Sequence, residues 1–392
     1  MPWSQTSTMD QKTLFISDYL RQTLSMTELC DLYNISRKTG YKWIDRYLHH
    51  GPAGLEDQPR RPRTSPGKTP DHIVNAIIQA RQRHPTWGAK KLIKILSKRH
   101  PKWPWPARST VCDILSRNGL VPKKRRRRHI GHPGKPSAEI NAPNDTWTAD
   151  FKGHFKTGDG YYCYPLTVAD GYSRFLLGCQ ALYSTSLVET KPVFTRLFKE
   201  YGLPKRIRTD NGVPFATTTL ARLSKLSVWW IRLGIYPELI EPGKPQQNGC
   251  HERMHRTLKA ETTRPPAATR RSQQRKFNTF RHEFNFERPH EALDLETPAS
   301  VYETSPREMP LSLPPIEYPD RFEVRYVSAN GGMRWNHHWV LVSSVCVGEY
   351  IGLEEIDNGV WNVYFSSLKI GRFHEKYMRI EDELGRLKRQ KV

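Results

Sequence analysis

The chain has 392 residues, with 62 Lys or Arg against 39 Asp or Glu and a formal net charge of +23. At roughly 100–200 residues per domain, that length predicts two to four domains. No apolar run approaches the roughly 18 residues of a membrane span, and Met1–Asp10 lacks a signal-peptide core. Membrane-embedded and exported classes are therefore not expected, and a soluble cytoplasmic protein is. The excess cations need anions, for which polyphosphate backbones are the usual source. Residues 1–140 hold 27 Lys or Arg and 10 Asp or Glu, which concentrates nucleic-acid binding in the N-terminal third.

In chain order, the first unit spans 1–50 and reads as a helix-turn-helix DNA-binding domain. Thr27 is expected to cap a short helix carrying Leu29, Leu32 and Tyr33, Asn34-Ile35 to turn the chain, and Ser36 to cap the next helix. Trp43, Ile44 and Tyr47 form that helix's buried stripe, while Arg37, Lys38, Thr39 and Lys42 occupy its first turns, facing base edges and phosphates. A purely structural helical hairpin is the competing reading. Residues 51–69 form a basic, Pro-rich linker whose Arg60, Arg61 and Arg63 can track a phosphate backbone.

A second helical unit spans 70–122. Ile73, Ile77 and Ala80 mark one helix, and Leu92, Ile95 and Leu96 another. A third opens at Ser109 with Val111, Ile114 and Leu115 inward, closed by Asn118-Gly119. This fits a second helix-turn-helix domain with Arg108, Ser109 and Thr110 at its reading end. Residues 123–143 are a basic linker opening on six consecutive cations, Lys123, Lys124, Arg125, Arg126, Arg127 and Arg128, a tether or phosphate clamp. A nuclear address signal is the alternative.

From 144 to 305 the pattern predicts a mixed α/β sheet. Trp147, Ala149 and Phe151 alternate on one strand, and Tyr161–Asp170 with Tyr172–Leu182 reads as a hairpin turning at Asp170-Gly171. Ser186 caps a helix with Val193, Leu197 and Phe198 buried. Arg206–Thr209 is a strand ending at Asp210-Asn211-Gly212; a helix through Leu223, Leu226, Trp230 and Leu233 follows, then a strand near Ile235–Ile240. Residues 317–385 are all-β and predict a small SH3-like barrel, with turns at Asn330-Gly331-Gly332 and Asp357-Asn358-Gly359. Cys30, Cys112, Cys163, Cys179, Cys250 and Cys346 contain no Cys-x-x-Cys pair, so neither a zinc finger nor a disulfide framework is expected. His49, His50, His337 and His338 read as surface residues.

Three acids fall where this layout converges. Asp150 lies within the first strand, Asp210 at the end of a later one, and Glu252 opens a helix after the loop 242–249. Bare carboxylates brought together repel, and two divalent cations would keep all three ionised. Oxygen ligands favour Mg2+ or Mn2+, and a two-ion site suits in-line phosphoryl transfer. Arg256 and Lys259 follow Glu252 by four and seven residues, on its own helix face beside a phosphate backbone. A solvated Glu-Arg ladder is the bland alternative. Asp170 is read as a turn residue, Glu241 as a strand end and Glu261 as an exposed helical acid. Asn248 and Gly249 are expected to shape the loop and hydrogen-bond the site's backbone, and His251 is read as lying on the adjacent helix face, with a proton carrier as the alternative.

The segments 147–153 (WTADFKG), 170–174 (DGYSR), 209–215 (TDNGVPF) and 242–259 (PGKPQQNGCHERMHRTLK) resemble those of DDE transposases with a retroviral-integrase-like catalytic core. Residues 284–293 (FNFERPHEAL), followed by Thr297-Pro298, are similar to the closing helix and loop of that core in bacterial insertion-sequence transposases. The resemblance implies a ribonuclease H-like core with Asp150, Asp210 and Glu252 as its catalytic and metal-holding acids. It also implies recognition of element terminal repeats by the N-terminal domains, and assembly of at least a dimer on paired DNA ends. The 41 residues between Asp210 and Glu252 exceed the spacing in retroviral integrases, and the His/Cys zinc domain of those proteins is absent. The expected function is metal-dependent cleavage of element ends and strand transfer into target DNA. The alternatives are a non-catalytic DNA-binding regulator derived from a transposase, and a ribonuclease or repair nuclease on the same core.

Overall fold

Ser7 opens the first helix: its hydroxyl accepts from the Asp10 N–H, and the Asp10 carboxylate accepts from the Ser7 N–H, satisfying two end donors at once. The structure, a computed structural model, describes residues 7–57, 67–121, 139–241 and 248–382. The chain divides into two units, Met1–Lys68 and Thr69–Val392.

The first unit holds α1 (Thr8–Arg21), α2 (Met26–Leu32) and α3 (Arg37–His50) around Phe15, Ile16, Leu29, Cys30, Ile44 and Leu55. Helix α1 has no counterpart among the elements expected from sequence. Ser25, not Thr27, caps α2, because Glu28 stands three residues on and closes a reciprocal cap with it. Ser36 caps α3 as expected. Asn34 takes the left-handed conformation (φ +52°) that turns α2 into α3. Gly40 lets the two helices approach, since a methyl there would come within 2.7 Å of Cys30 Sγ.

The second unit begins with α4 (Asp71–Arg83), α5 (Ala89–Arg99) and α6 (Arg108–Arg117). Ile73, Ile77, Trp87, Leu92, Leu96, Val111, Ile114 and Leu115 form their common core. Helix α6 starts one residue earlier than expected, with Ala107 at its cap position. Gly119 closes it at φ +68°, a conformation that costs glycine nothing. Arg81 reaches from α4 to the carbonyls of Leu120 (3.1 Å) and Trp87, tying both ends of the bundle together.

The next elements are β1 (Thr146–Phe151), β2 (Phe155–Lys156), β3 (Tyr162–Asp170), β4 (Leu176–Leu182), α7 (Leu187–Tyr201), β5 (Arg206–Thr209), α8 (Lys225–Arg232), β6 (Tyr236–Leu239), α9 (Gly249–Thr262) and α10 (Arg270–His282). The strands form a mixed sheet in the order β4-β3-β1-β5-β6, with β2 paired to the start of β3. Strand β3 runs antiparallel to β1 and β4, while β5 and β6 run parallel to β1. This is the ribonuclease H-like order. Strand alternation divides the sheet's side chains between two layers. Trp147, Ala149, Leu166, Val168 and Ile207 pack under α7 and α8. Cys163, Ala169, Leu176 and Cys179 pack under Met254 and Leu258 of α9 and Phe277 and Phe280 of α10. The β3–β4 turn is longer than the Asp170-Gly171 hairpin expected, and β4 starts only at Leu176. Asp170 is buried there, its carboxylate accepting from Asn144 N, Ser173 N and Ser173 Oγ at 2.6–2.8 Å.

The C-terminal segment is all-β: β7 (Glu323–Tyr326), β8 (Gly332–Trp335), β9 (His338–Leu341), β10 (Tyr350–Asp357), β11 (Val360–Phe365), β12 (Leu368–His374) and β13 (Arg379–Glu381). The expected barrel does not close. Five strands form one open antiparallel sheet, β13-β12-β11-β10-β7, and β8-β9 is a separate ribbon. Alternation specifies strands, but closure needs a register linking the outermost pair, and the three-residue β13 and four-residue β7 share no ladder. Ile351, Leu353, Val363 and Phe373 of the open sheet share one apolar cluster with Leu220, Leu223, Val228 and Ile231, on and before α8.

Among the described residues no helix is long and apolar enough to cross a membrane. The cysteines are all free. His49, His50, His337 and His338 are exposed.

Candidate active site

The β1–β5 pairing sets Ala149 beside Thr209 in parallel register. One residue further, Asp150 lies within β1, where strand alternation aims it away from the α7–α8 layer toward α9, and Asp210 follows directly after β5. Asn211-Gly212 turns the chain at that point, and the Asp210 carboxylate accepts from Gly212 N at 3.2 Å. Glu252 lies in the first turn of α9, on the face of the sheet that Asp150 shares. The acids feel one another there. Burial first, and then the charges of Asp210 and Glu252, push the Asp150 carboxyl up to about 7. Burial also raises Asp210. The Asp150 side chain is 20% exposed, so it keeps an opening to solvent.

This donor set fits a hard divalent cation. Desolvated carboxylates that repel one another are relieved by a positive ion between them, and oxygen ligands suit Mg2+ or Mn2+. Arg256 and Lys259 are exposed on α9 together with Glu252, while His251, Met254, His255 and Leu258 face the sheet.

Two residues under the acids went unrecognised in the sequence as a pair. His251 and His255 are buried, and Thr167, the partner of Asp150 across the β1–β3 ladder, stands between them. Thr167 Oγ1 lies 3.0 Å from the Asp150 carbonyl and 2.6 Å from Nε2 of each imidazole. A hydroxyl has one proton and two lone pairs. Thr167 therefore donates to the carbonyl and accepts from both Nε2–H groups. Thr148 Oγ1 lies 2.9 Å from His251 Nδ1 and donates to the Ala169 carbonyl at 3.2 Å, while His255 Nδ1 faces Asp150 Oδ2 at 3.5 Å. Burial keeps both rings neutral, holding His251 down at about 3 and His255 lower still, the latter helped by His251 and Lys152. Donor atoms of Asp150, His251 and His255 all lie within 4.8 Å of one another. The signal was present: two histidines one helical turn apart, in phase with Met254 and Leu258.

The remaining predicted residues separate into two groups. Arg37, Lys38 and Lys42 are exposed on α3, and Arg108 and Ser109 at the start of α6. Thr39 and Thr110 are half-buried, and Thr39 is engaged in capping, its N–H donating to Ser36 Oγ at 3.3 Å. Arg60, Arg61, Arg63, Lys123, Lys124, Arg125, Arg126, Arg127 and Arg128 lie outside the described residues, as do 242–247 of the loop before α9. Glu261 is exposed on α9, as expected, and it also pairs with Arg288 at 2.9 Å and accepts from Thr86 Oγ1.

Residues 140–245 and 233–298 match families described as Integrase core domain, residues 11–63 a Helix-turn-helix domain, and residues 39–115 a Homeodomain-like domain. The chain is 26% identical over 275 residues to an uncharacterized 39.2 kDa protein of insertion element IS476 from Xanthomonas euvesicatoria, covering 65% of this chain and 74% of that protein. It is 32% identical over 127 residues to the Pol polyprotein of Radiation murine leukemia virus (strain Kaplan), covering 32% of this chain and only 21% of the polyprotein. Among solved structures, it is similar to the HTLV-2 integrase catalytic core domain in complex with magnesium, at 16% identity and a TM-score of 0.32, covering 41% of this chain and 98% of that one.

Proposed function

We propose that this chain, which carries an integrase core domain behind helix-turn-helix domains, is a DDE-type transposase that cleaves the ends of an insertion element and joins them to target DNA. The observation that carries the reading is the β1–β5 register, which sets Asp150 beside Asp210 on the sheet face that α9 covers with Glu252 at its start. In this reading the three acids hold two Mg2+ or Mn2+ ions. Bound there, such ions supply Lewis-acid stabilisation of the phosphate charge and lower the pKa of the attacking hydroxyl.

The protein's own part is placement. Asp150 and Asp210, fixed on neighbouring strands, set the geometry of the reacting phosphodiester, and Arg256 and Lys259 take the flanking phosphates as point charges. In the first step a water oxygen bonds to phosphorus and the 3′-oxygen leaves as a hydroxyl. In the second, that 3′-hydroxyl attacks a target phosphodiester, exchanging one P–O bond for another. Arg37, Lys38, Thr39 and Lys42 on α3, and Arg108, Ser109 and Thr110 on α6, read double-stranded DNA at the terminal repeats. Arg60, Arg61, Arg63 and the run Lys123–Arg128 hold its backbone. Two ends joined together require at least two protomers, acting in the cytoplasm where the DNA is.

The test uses the full chain with duplex DNA carrying the sequences that flank its gene. Cutting and joining should require Mg2+ or Mn2+, and Asp210→Asn should abolish both. Undiminished strand transfer by that variant would remove the acid assignment. Salt-sensitive binding without any metal-dependent cleavage would leave the non-catalytic regulator instead.

A further inference from the structure

The α4–α6 bundle is fastened to the core beside α9. At the centre of the junction Trp87, 2% exposed, has the Arg288 guanidinium 5.9 Å from its ring. Arg288 pairs with Glu261, their side chains 9% and 22% exposed, and Thr86 Oγ1 donates to the same carboxylate. At the rim, Lys94 meets Glu296 at 2.7 Å and Lys90 meets Glu291 at 3.5 Å. Those rim pairs are 36–60% exposed, so each contributes little alone. The centre, where Trp87 and Arg288 are buried, dominates. Lys91 is half-buried in the junction, and its ammonium is pushed down to about 8, chiefly by burial and then by Arg288.

The junction continues in both directions. Leu92 and Leu96 of α5 pack on Val111, Ile114 and Leu115 of α6, the helix whose start exposes Arg108 and Ser109. On the other side, Glu261 lies on α9, nine residues beyond Glu252. An unbroken series of packed elements thus links the end of α6 that faces solvent to the acids.

We propose that the junction of Trp87, Arg288 and Glu261 is a ruler: it fixes the spacing between the DNA sequence read by α6 and the phosphodiester cut at Asp150, Asp210 and Glu252. The position of the cut, rather than its rate, is what the junction determines. This inference rests on the transposase reading above.

The test is to sequence the ends produced by the full chain on duplex DNA carrying its gene's flanking sequences. The unchanged protein should cut at one phosphodiester. Arg288→Glu sets two acids against each other and should spread the products over several neighbouring positions, the main one falling below half of the total. The swap Glu261→Arg with Arg288→Glu should restore the single position. Hydrogen exchange over residues 86–99, without DNA, should rise in the single variant and fall again in the swap. If Arg288→Glu fails to fold, Glu291→Lys with Glu296→Lys loosens the rim and should broaden the products less. Single-position cutting by a variant whose residues 86–99 exchange freely would overturn the ruler while leaving the transposase intact. Failure of the unchanged protein to cut at all would overturn both.

Discussion

Replacing Asp150 by Asn should make the metal-free protein more stable, because the fold presently holds a carboxylate in a place that disfavours its charge. The side chain's usual pKa is 3.8 and in the fold it is about 7. At 1.36 kcal/mol per pH unit, that gap makes the ionised form about 4 kcal/mol less favourable in the folded chain than in the unfolded one. The sign follows from proton binding. Between pH 3.8 and 7 the folded state holds the proton and the unfolded state does not, so stability falls as pH rises and the penalty is complete above about 7. Little else is lost, since the His255 Nδ1 contact, at 3.5 Å, is too long to be a hydrogen bond. In EDTA at pH 8, Asp150→Asn should raise Tm by up to about 8 °C, at about 2 °C per kcal/mol. At pH 5 the advantage should shrink to about 2 kcal/mol, and excess Mg2+ at pH 8 should narrow it further by binding only the parent tightly. Thermal unfolding of both proteins across that grid is the assay. A variant no more stable than its parent at pH 8, or an advantage that does not change with pH, refutes the reasoning.

Thr167→Val removes the hydroxyl that receives both imidazoles; the two stranded donors should cost about 2 kcal/mol in urea unfolding, with strand transfer reduced far more than DNA binding. Glu238→Ala removes the carboxylate 3.1 Å from the buried Arg208 guanidinium and should destabilise the chain by about 1 kcal/mol by the same measurement, loosening the strand that ends at Thr209. Arg37→Ala on α3 should weaken duplex binding and lower the slope of log K against log salt by about 1 in a salt titration; an unchanged slope would mean that Arg37 meets no phosphate.

Much of the core was legible because its signals are local. Arg206–Thr209 could be bounded as a strand, since β-branched and charged residues alternate there and Asn211-Gly212 must turn. Ser36 could be named as a cap for a similarly local reason. Where two signals competed, the neighbour decided. Thr27 and Ser25 are both capping residues, but only Ser25 has an acid three positions on. What depends on partners far along the chain was less visible. The convergence of His251 and His255 on Thr167 requires the β1–β3 register, and a periodicity reading shows only that they share a face. Glu261 is exposed as expected, but its pairing was not visible, because Arg288 and Thr86 lie 27 and 175 residues away. The barrel failed similarly, since alternation in each strand says nothing about whether the outermost two meet.

The cluster around α8 draws its apolar walls from opposite ends of a long stretch of chain. Leu220, Leu223, Val228 and Ile231 emerge from the ribosome well over a hundred residues before Phe373 and Ile380 that cover them. During synthesis that surface is covered strand by strand, from Val327 onward to Ile380, so it stays partly bare over that stretch of translation, when exposed apolar surface is prone to non-native contacts. A message interrupted between α8 and β7 yields a product that lacks the strands covering this flank.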